Sequence, residues 1–146
     1  MGLRVVCFEL GGIPYGIRIE RVGELAPAPR RLRRVPGAPA GIVGLAELRG
    51  SILTVLDPAA ALGIPRPEGE AHLAVLRPPL ARVALLLRGA VDILECDGGL
   101  VVEGGERGAL LEGEWLGESG CRKLLDPGAV VAACERRIVE AEGAGP

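Results

Sequence analysis

Apolar and polar positions alternate with a period of two at the start of the chain. In RVVCFEL (Arg4 to Leu10), Val6, Phe8 and Leu10 alternate with Cys7 and Glu9; in PYGIRIERV, Tyr15, Ile17 and Ile19 alternate with Gly16, Arg18 and Glu20. Alternation of this kind predicts two half-buried antiparallel strands turning at Gly11-Gly12. Gly23, Glu24 and Leu25 either continue the second strand or end it. APAPRRLRRVPGAPAG follows, and its prolines at 27, 29, 36 and 39 exclude a central strand or a long helix. It reads as a connector. In GIVGLAELRGSILTVLD (Gly41 to Asp57), two apolar pieces flank Arg49-Gly50. The β-branched and aliphatic content of the second piece predicts a strand, and Arg49-Gly50 a tight turn. Asp57 suits an N-cap, Pro58 the first helical position and Gly63 the end, which predicts one short helical turn. The stretch from Ile64 reads as a loop.

The pattern then starts afresh. AHLAVL, RVALLL and AVDILEC predict three short strands separated by Pro78-Pro79 and Gly89. DGGLVVEGGERG is a glycine-rich loop with room for one strand. CRKLLDPGAVVAACERRIVEAE predicts a strand, a cap and a helix over about residues 127–142, with Val131, Cys134, Ile138 and Ala141 on one face. TVLDPAAAL at Thr54 and KLLDPGAVV at Lys123 echo one another 69 positions apart. Each marks a strand running into an Asp-Pro helix start. Many short strands with frequent turn signals point to small barrels. The expectation is therefore an all-β chain forming one domain over 1–146. Lobe one would span about 1–63 and lobe two about 70–135, with short helices at the lobe ends.

Composition narrows the chemistry. Apolar residues make up 49% of the chain but aromatic ones only 2%, so the core must be built from Leu, Val, Ile and Ala. The four cysteines are widely spaced and His72 is the only histidine, so no usual zinc set is present. Reduced thiols, with Cys7 and Cys96 in strands, suit a cytoplasmic protein. No apolar run reaches the length of a membrane span, and MGLRVV lacks the myristoylation pattern. Ser51, Ser119 and Thr54 are the only side-chain hydroxyls besides Tyr15, and neither serine lies in a nucleophile elbow. Asp57 and Asp126 share a Leu-Asp-Pro setting and read as caps, not as a catalytic pair. No catalytic residue, metal or cofactor is expected. Arg30 to Arg34 (RRLRR) is the strongest charge cluster. Leu32 and Val35 punctuate it as anchors, and no aromatic residue is interleaved for base stacking. It reads as a solvated connector or a face for an acidic protein, with nucleic-acid binding as the alternative.

Taken in order, these residues resemble the CheW-type coupling proteins of bacterial chemosensory arrays. The resemblance runs through Phe8, Leu10, Gly11, Tyr15, Ile17, Val22, Glu24 and Leu25, then Val35-Pro36, Pro39 and Gly44, then Leu48-Arg49-Gly50 and Val55-Leu56-Asp57. It covers Val5 to Gly63 well. Beyond that it rests on strand rhythm and Leu124-Leu125-Asp126. Three positions depart from the family pattern: Glu47 in place of Asn, Thr54 in place of proline, and Arg88 in place of part of a valine–aspartate pair. The resemblance implies two pseudo-symmetric five-stranded SH3-like barrel lobes and no catalytic activity. It implies a scaffold bridging the regulatory domain of a CheA-type histidine kinase to the cytoplasmic tips of chemoreceptors. An adaptor for a kinase array with another output belongs to the same class. Carried over residue by residue, Glu24, Gly44, Arg49 and Gly50 are the expected partner-binding positions.

Overall fold

A computed structural model describes residues 2–38, 41–80, 82–103, 110–118 and 120–134. Strands dominate: β1 (Leu3–Leu10), β2 (Ile13–Arg18), β3 (Val22–Pro27), β4 (Ile42–Leu48), β5 (Ser51–Leu56), β6 (Ala71–Leu76), β7 (Val83–Arg88), β8 (Asp92–Cys96), β9 (Leu100–Glu103), β10 (Leu111–Gly117) and β11 (Gly120–Leu125). A 3₁₀ turn, Ile19–Arg21, separates β2 from β3. Helix α1 covers Pro58–Leu62, and residues 127–134 form α2. The rest of the expected helix, including Ile138 and Ala141, and Ser119 lie outside the described residues, as does 104–108 of the expected glycine-rich loop.

The strands form two sheets, ordered β8-β1-β2-β11-β10-β9 and β3-β6-β7-β5-β4. The first five positions match one for one. In each sheet the third and fourth strands are parallel, β2 with β11 and β7 with β5, and the other pairings are antiparallel. Strand β9 is an addition to the first sheet, which thus has six strands where five are expected. The strands are not dealt out by halves of the chain, either. The second sheet is continuous from β3 to β7, while the first combines β1 and β2 with β8 to β11. The boundary expected near residues 63–70 therefore falls inside the second sheet, between β5 and β6. The 3₁₀ turn is where the chain first crosses. Glu112 on β10 ties that crossing down: Arg21 Nη2 donates to its Oε2 at 3.1 Å, and Arg18 Nε lies 2.7 Å from its Oε1, close in charge but off the hydrogen-bond direction.

The echo 69 positions apart extends over a whole unit. Hairpin β4–β5 and helix α1 correspond in register to hairpin β10–β11 and the start of α2. Even the bulges coincide, between Ile42 and Gly44 and between Leu111 and Gly113. Both caps form as expected. Asp57 Oδ1 accepts from Ala59 N–H at 2.9 Å, and Asp126 Oδ1 accepts from Gly128 and Ala129 N–H at 3.0 and 3.3 Å. Gly63, with φ of 72°, closes α1 in the left-handed conformation.

Burial explains where the half-buried expectation fails. Val6, Phe8, Leu10, Tyr15 and Ile17 from the first sheet share one core with Leu56, Ala74, Leu76, Leu85 and Leu87 from the second and with Val130, Val131 and Cys134 of α2. The opposite faces are filled too: Val5, Cys7, Cys96, Trp115 and Leu124 pack together on one sheet, and Ala46, Leu53, Val55, Leu73, Ala84 and Leu86 on the other. Val5 to Phe8 are consequently all buried. Each fully buried Leu, such as Leu85 or Leu87, contributes about 2 kcal/mol by removal from water.

Candidate functional site

The hairpin joining β4 to β5 has a two-residue turn. Leu48 pairs with Ser51, leaving Arg49 (φ 51°) and Gly50 (φ 80°) at the tip. Positive φ at both central residues is the type I′ geometry that matches the twist of the flanking strands. Glycine adopts it freely; Arg49 is a costlier occupant, one of two non-glycine residues with positive φ among the described residues. The Arg49 side chain stands 77% exposed.

Its guanidinium meets Glu24 as a fork. Arg49 Nη1 donates to Glu24 Oε1 at 3.0 Å, and Nη2 lies 2.9 Å from Oε2. Glu24 is on β3, the opposite edge of the sheet from β4. The carboxylate partner is thus Glu24, 25 positions away, and not the neighbouring Glu47. Ile52, one residue past the hairpin, is 61% exposed and sits opposite exposed Glu47 on the outer face. Glu24, Arg49 and Gly50 therefore gather at one sheet corner beside an exposed branched apolar side chain.

Gly44 does not join them. It is buried beneath the connector, whose Arg33 exchanges two backbone hydrogen bonds with Leu45, at 2.9 and 2.8 Å. A Cβ on Gly44 would come within 2.6 Å of the Arg33 carbonyl oxygen. Its role in the geometry is to let the connector seat against β4.

The connector arginines divide. Arg33 lies at the β4 bridge, while Arg30, Arg31 and Arg34 line a cavity of about 640 Å³ with Arg66 and Arg88. Leu32 is an anchor as expected, packing with the Leu53 and Leu73 cluster; Val35 is 42% exposed and is not one. Sequence reasoning did not bring Arg66 and Arg88 to this place. Arg88 drew notice only as a departure from the family pattern.

Two of the cysteines are buried in strands and Cys121 is exposed. Burial pushes the thiols of Cys7 and Cys96 up from their ordinary range, and the nearby Arg122 charge only partly opposes this. Both lie in strands, β1 and β8, and Cys7 Sγ donates to the Asp92 carbonyl at 3.3 Å. The buried Nδ1 of His72 on β6 has no hydrogen-bond partner. Among the described residues, no three His, Cys, Asp or Glu side chains form a group that could hold a metal ion. No described helix is long and apolar enough to cross a membrane.

The family model for the CheW-like domain matches residues 4–111. The chain is similar in fold to the crystal structure of the scaffolding protein TtCheW from Thermoanaerobacter tengcongensis, with a TM-score of 0.75 and 21% identity over 86% of this chain and 90% of that one. No curated protein matches the chain in sequence.

Proposed function

The chain belongs to the CheW-like domain family, and on that premise we propose that it is a non-enzymatic cytoplasmic scaffold coupling chemoreceptor tips to a CheA-type histidine kinase. The observation that carries this reading is the exposed corner where Arg49 of the hairpin and Glu24 of the far sheet edge form a charged fork beside Ile52. A planar guanidinium with its remaining donors in solvent can recognise a partner's carboxylate or carbonyl, and Ile52 offers an apolar contact beside it. Gly50 keeps the tip clear, with nothing within 4 Å of the place a side chain would occupy. Gly44 contributes indirectly, through the seat of the connector. TtCheW, similar in fold, is a scaffolding protein, which supports the same class of role.

Titration of the full chain against a kinase regulatory domain and against a receptor cytoplasmic-tip fragment tests the proposal. Saturable binding to both is expected. Binding to neither overturns it. Co-purification of the kinase partner identifies which array the scaffold serves, whether for chemotaxis or another output.

A further inference from the structure

The arginine-walled cavity lies apart from the residues of the Arg49–Glu24 corner, none of which lines it, and its chemistry points to a ligand of its own. Arg30, Arg31 and Arg34 come from the connector, Arg66 from the loop after α1, and Arg88 from the end of β7. No carboxylate is among the described residues lining it. Arg66 is neutralised from behind by buried Asp57, with Nε 2.8 Å from Oδ2. The other four guanidiniums have no carboxylate partner among the described residues. Four like charges around one concavity repel one another unless an anion sits between them.

Arg88 adds a second observation. Its Nε is buried without a hydrogen-bond partner, and its Nη1 reaches the Gly69 carbonyl only at 3.5 Å. An unpaired donor on a charged group is costly, and the exposed Nη end of Arg88, held only by the long Gly69 contact, is the part free to take an acceptor in the cavity. Beside the arginines the lining is apolar, from Ile42, Val43 and Leu86. A volume of about 640 Å³ falls in the range of small-molecule sites. A concave site of this size suits a compact polyanion better than an extended nucleic-acid strand, which is followed by a charged groove with stacking aromatics.

We propose that this cavity binds a small polyphosphate ligand, with Arg30, Arg31, Arg34 and Arg88 holding phosphate oxygens. The apolar lining gives room for a nucleoside on the same ligand, against which a guanidinium can stack. Phosphate recognition by paired arginine donors is geometrically specific and strongly charge-assisted. Occupancy would add a polar tie between the connector and the end of β7, whose Leu86 already lies in the cluster that Leu32 packs against.

Calorimetric titration of the full chain with ATP, with inorganic triphosphate and with adenosine tests this. ATP or triphosphate should bind at a 1:1 ratio, more weakly as salt rises, and adenosine should not bind. Tighter binding of ATP than triphosphate assigns the site to a nucleotide; equal binding assigns it to free polyphosphate, and either supports the site. The exposed pair Arg31→Ala/Arg34→Ala and, separately, Arg88→Met should each weaken binding about tenfold or more. Arg33→Ala, outside the cavity, should not. If Arg88→Met fails to fold, the exposed double variant alone decides. Absence of binding by both phosphate ligands, equal affinity in the double variant, or retention of single-stranded oligonucleotide without either small ligand would overturn the proposal.

Discussion

Arg49 and Glu24 form a two-pronged ion pair across the two edges of one sheet, with Nη1–Oε1 at 3.0 Å and Nη2–Oε2 at 2.9 Å. The edges are β4 and β3, with three strands between them. The pair can form only because the five-stranded sheet curls until its edges approach. It therefore reports on closure of the sheet as well as on the surface it presents. Its exposure sets its worth: with Arg49 77% exposed and Glu24 28% exposed, the pair contributes from a few tenths to about 1 kcal/mol.

Arg49→Ala should accordingly leave folding within about 1 kcal/mol of the parent. Binding to a kinase regulatory domain or receptor tip should weaken by about 2 kcal/mol, roughly a thirtyfold rise in dissociation constant. The exchange Glu24→Arg with Arg49→Glu separates the two roles. It should restore the intramolecular pair and the melting temperature while binding stays lost. Recovery of binding along with stability would show that Arg49 acts only by bracing the sheet.

Gly44→Ala should act through the connector. The new Cβ would meet a backbone oxygen, that of Arg33, at 2.6 Å, so no flexible side-chain tip can move aside. A loss of about 1–3 kcal/mol is expected, as for other overpacked sites. Amide exchange should report it locally, with faster exchange at Arg33 and Leu45, whose N–H groups make the bridge. An unchanged melting curve with weakened partner binding would instead place Gly44 in direct contact with the partner.

The two equivalent caps should differ in cost. Asp57 is 4% exposed and uses both oxygens, one on Ala59 N–H and one on Arg66. Asp126 caps two backbone N–H groups at the start of α2. Asp57→Ala is expected to cost about 2 kcal/mol, the upper end for a cap, and Asp126→Ala about 1 kcal/mol. Chemical denaturation of the two variants measures the difference. Equal losses would mean that the Arg66 contact adds nothing.

Local pattern carried most of the elements, because strands, turns and caps are short-range features. The SILTVL strand, the Asp57 cap and the three strands of AHLAVL, RVALLL and AVDILEC lie where the local pattern places them; the β1–β2 hairpin does so as far as Arg18, but Ile19 to Arg21, expected to continue the strand, form the 3₁₀ turn that carries the chain to the other sheet. Strand β10 escaped notice because LEGEWLG contains no β-branched residue and has two glycines and two glutamates. Its partners on both sides, β9 and β11, hold it extended. The same offset that links TVLDPAAAL to KLLDPGAVV would have located it, since β4 lies 69 positions earlier. The site was half legible. A resemblance can bring Glu24 and Arg49 into one set, but their contact depends on sheet curl, which no local window reports. The arginine cavity depends on β7 being in the interior of the second sheet, a non-local pairing that brings Arg88 to the connector.

The buried thiols predict how stability changes in alkali. Desolvation raises the Cys7 and Cys96 thiols in the folded chain, outweighing the opposing Arg122 charge. The folded state therefore holds these protons more tightly than the unfolded state. The resulting stability is fully present below the unfolded thiol value of about 8.5 and is lost as pH rises from there through the higher folded values. Denaturation midpoints should fall above about pH 8.5, and the fall should be shallower in the Cys7→Ala/Cys96→Ala double variant once its own lower baseline is taken into account. Thiol labelling at pH 8 gives a second readout: exposed Cys121 should react first, with buried Cys7 and Cys96 reacting only as the chain opens. Fast labelling of Cys7 under native conditions, or an alkaline slope identical in parent and double variant, would show that burial of these thiols does not govern the pH response.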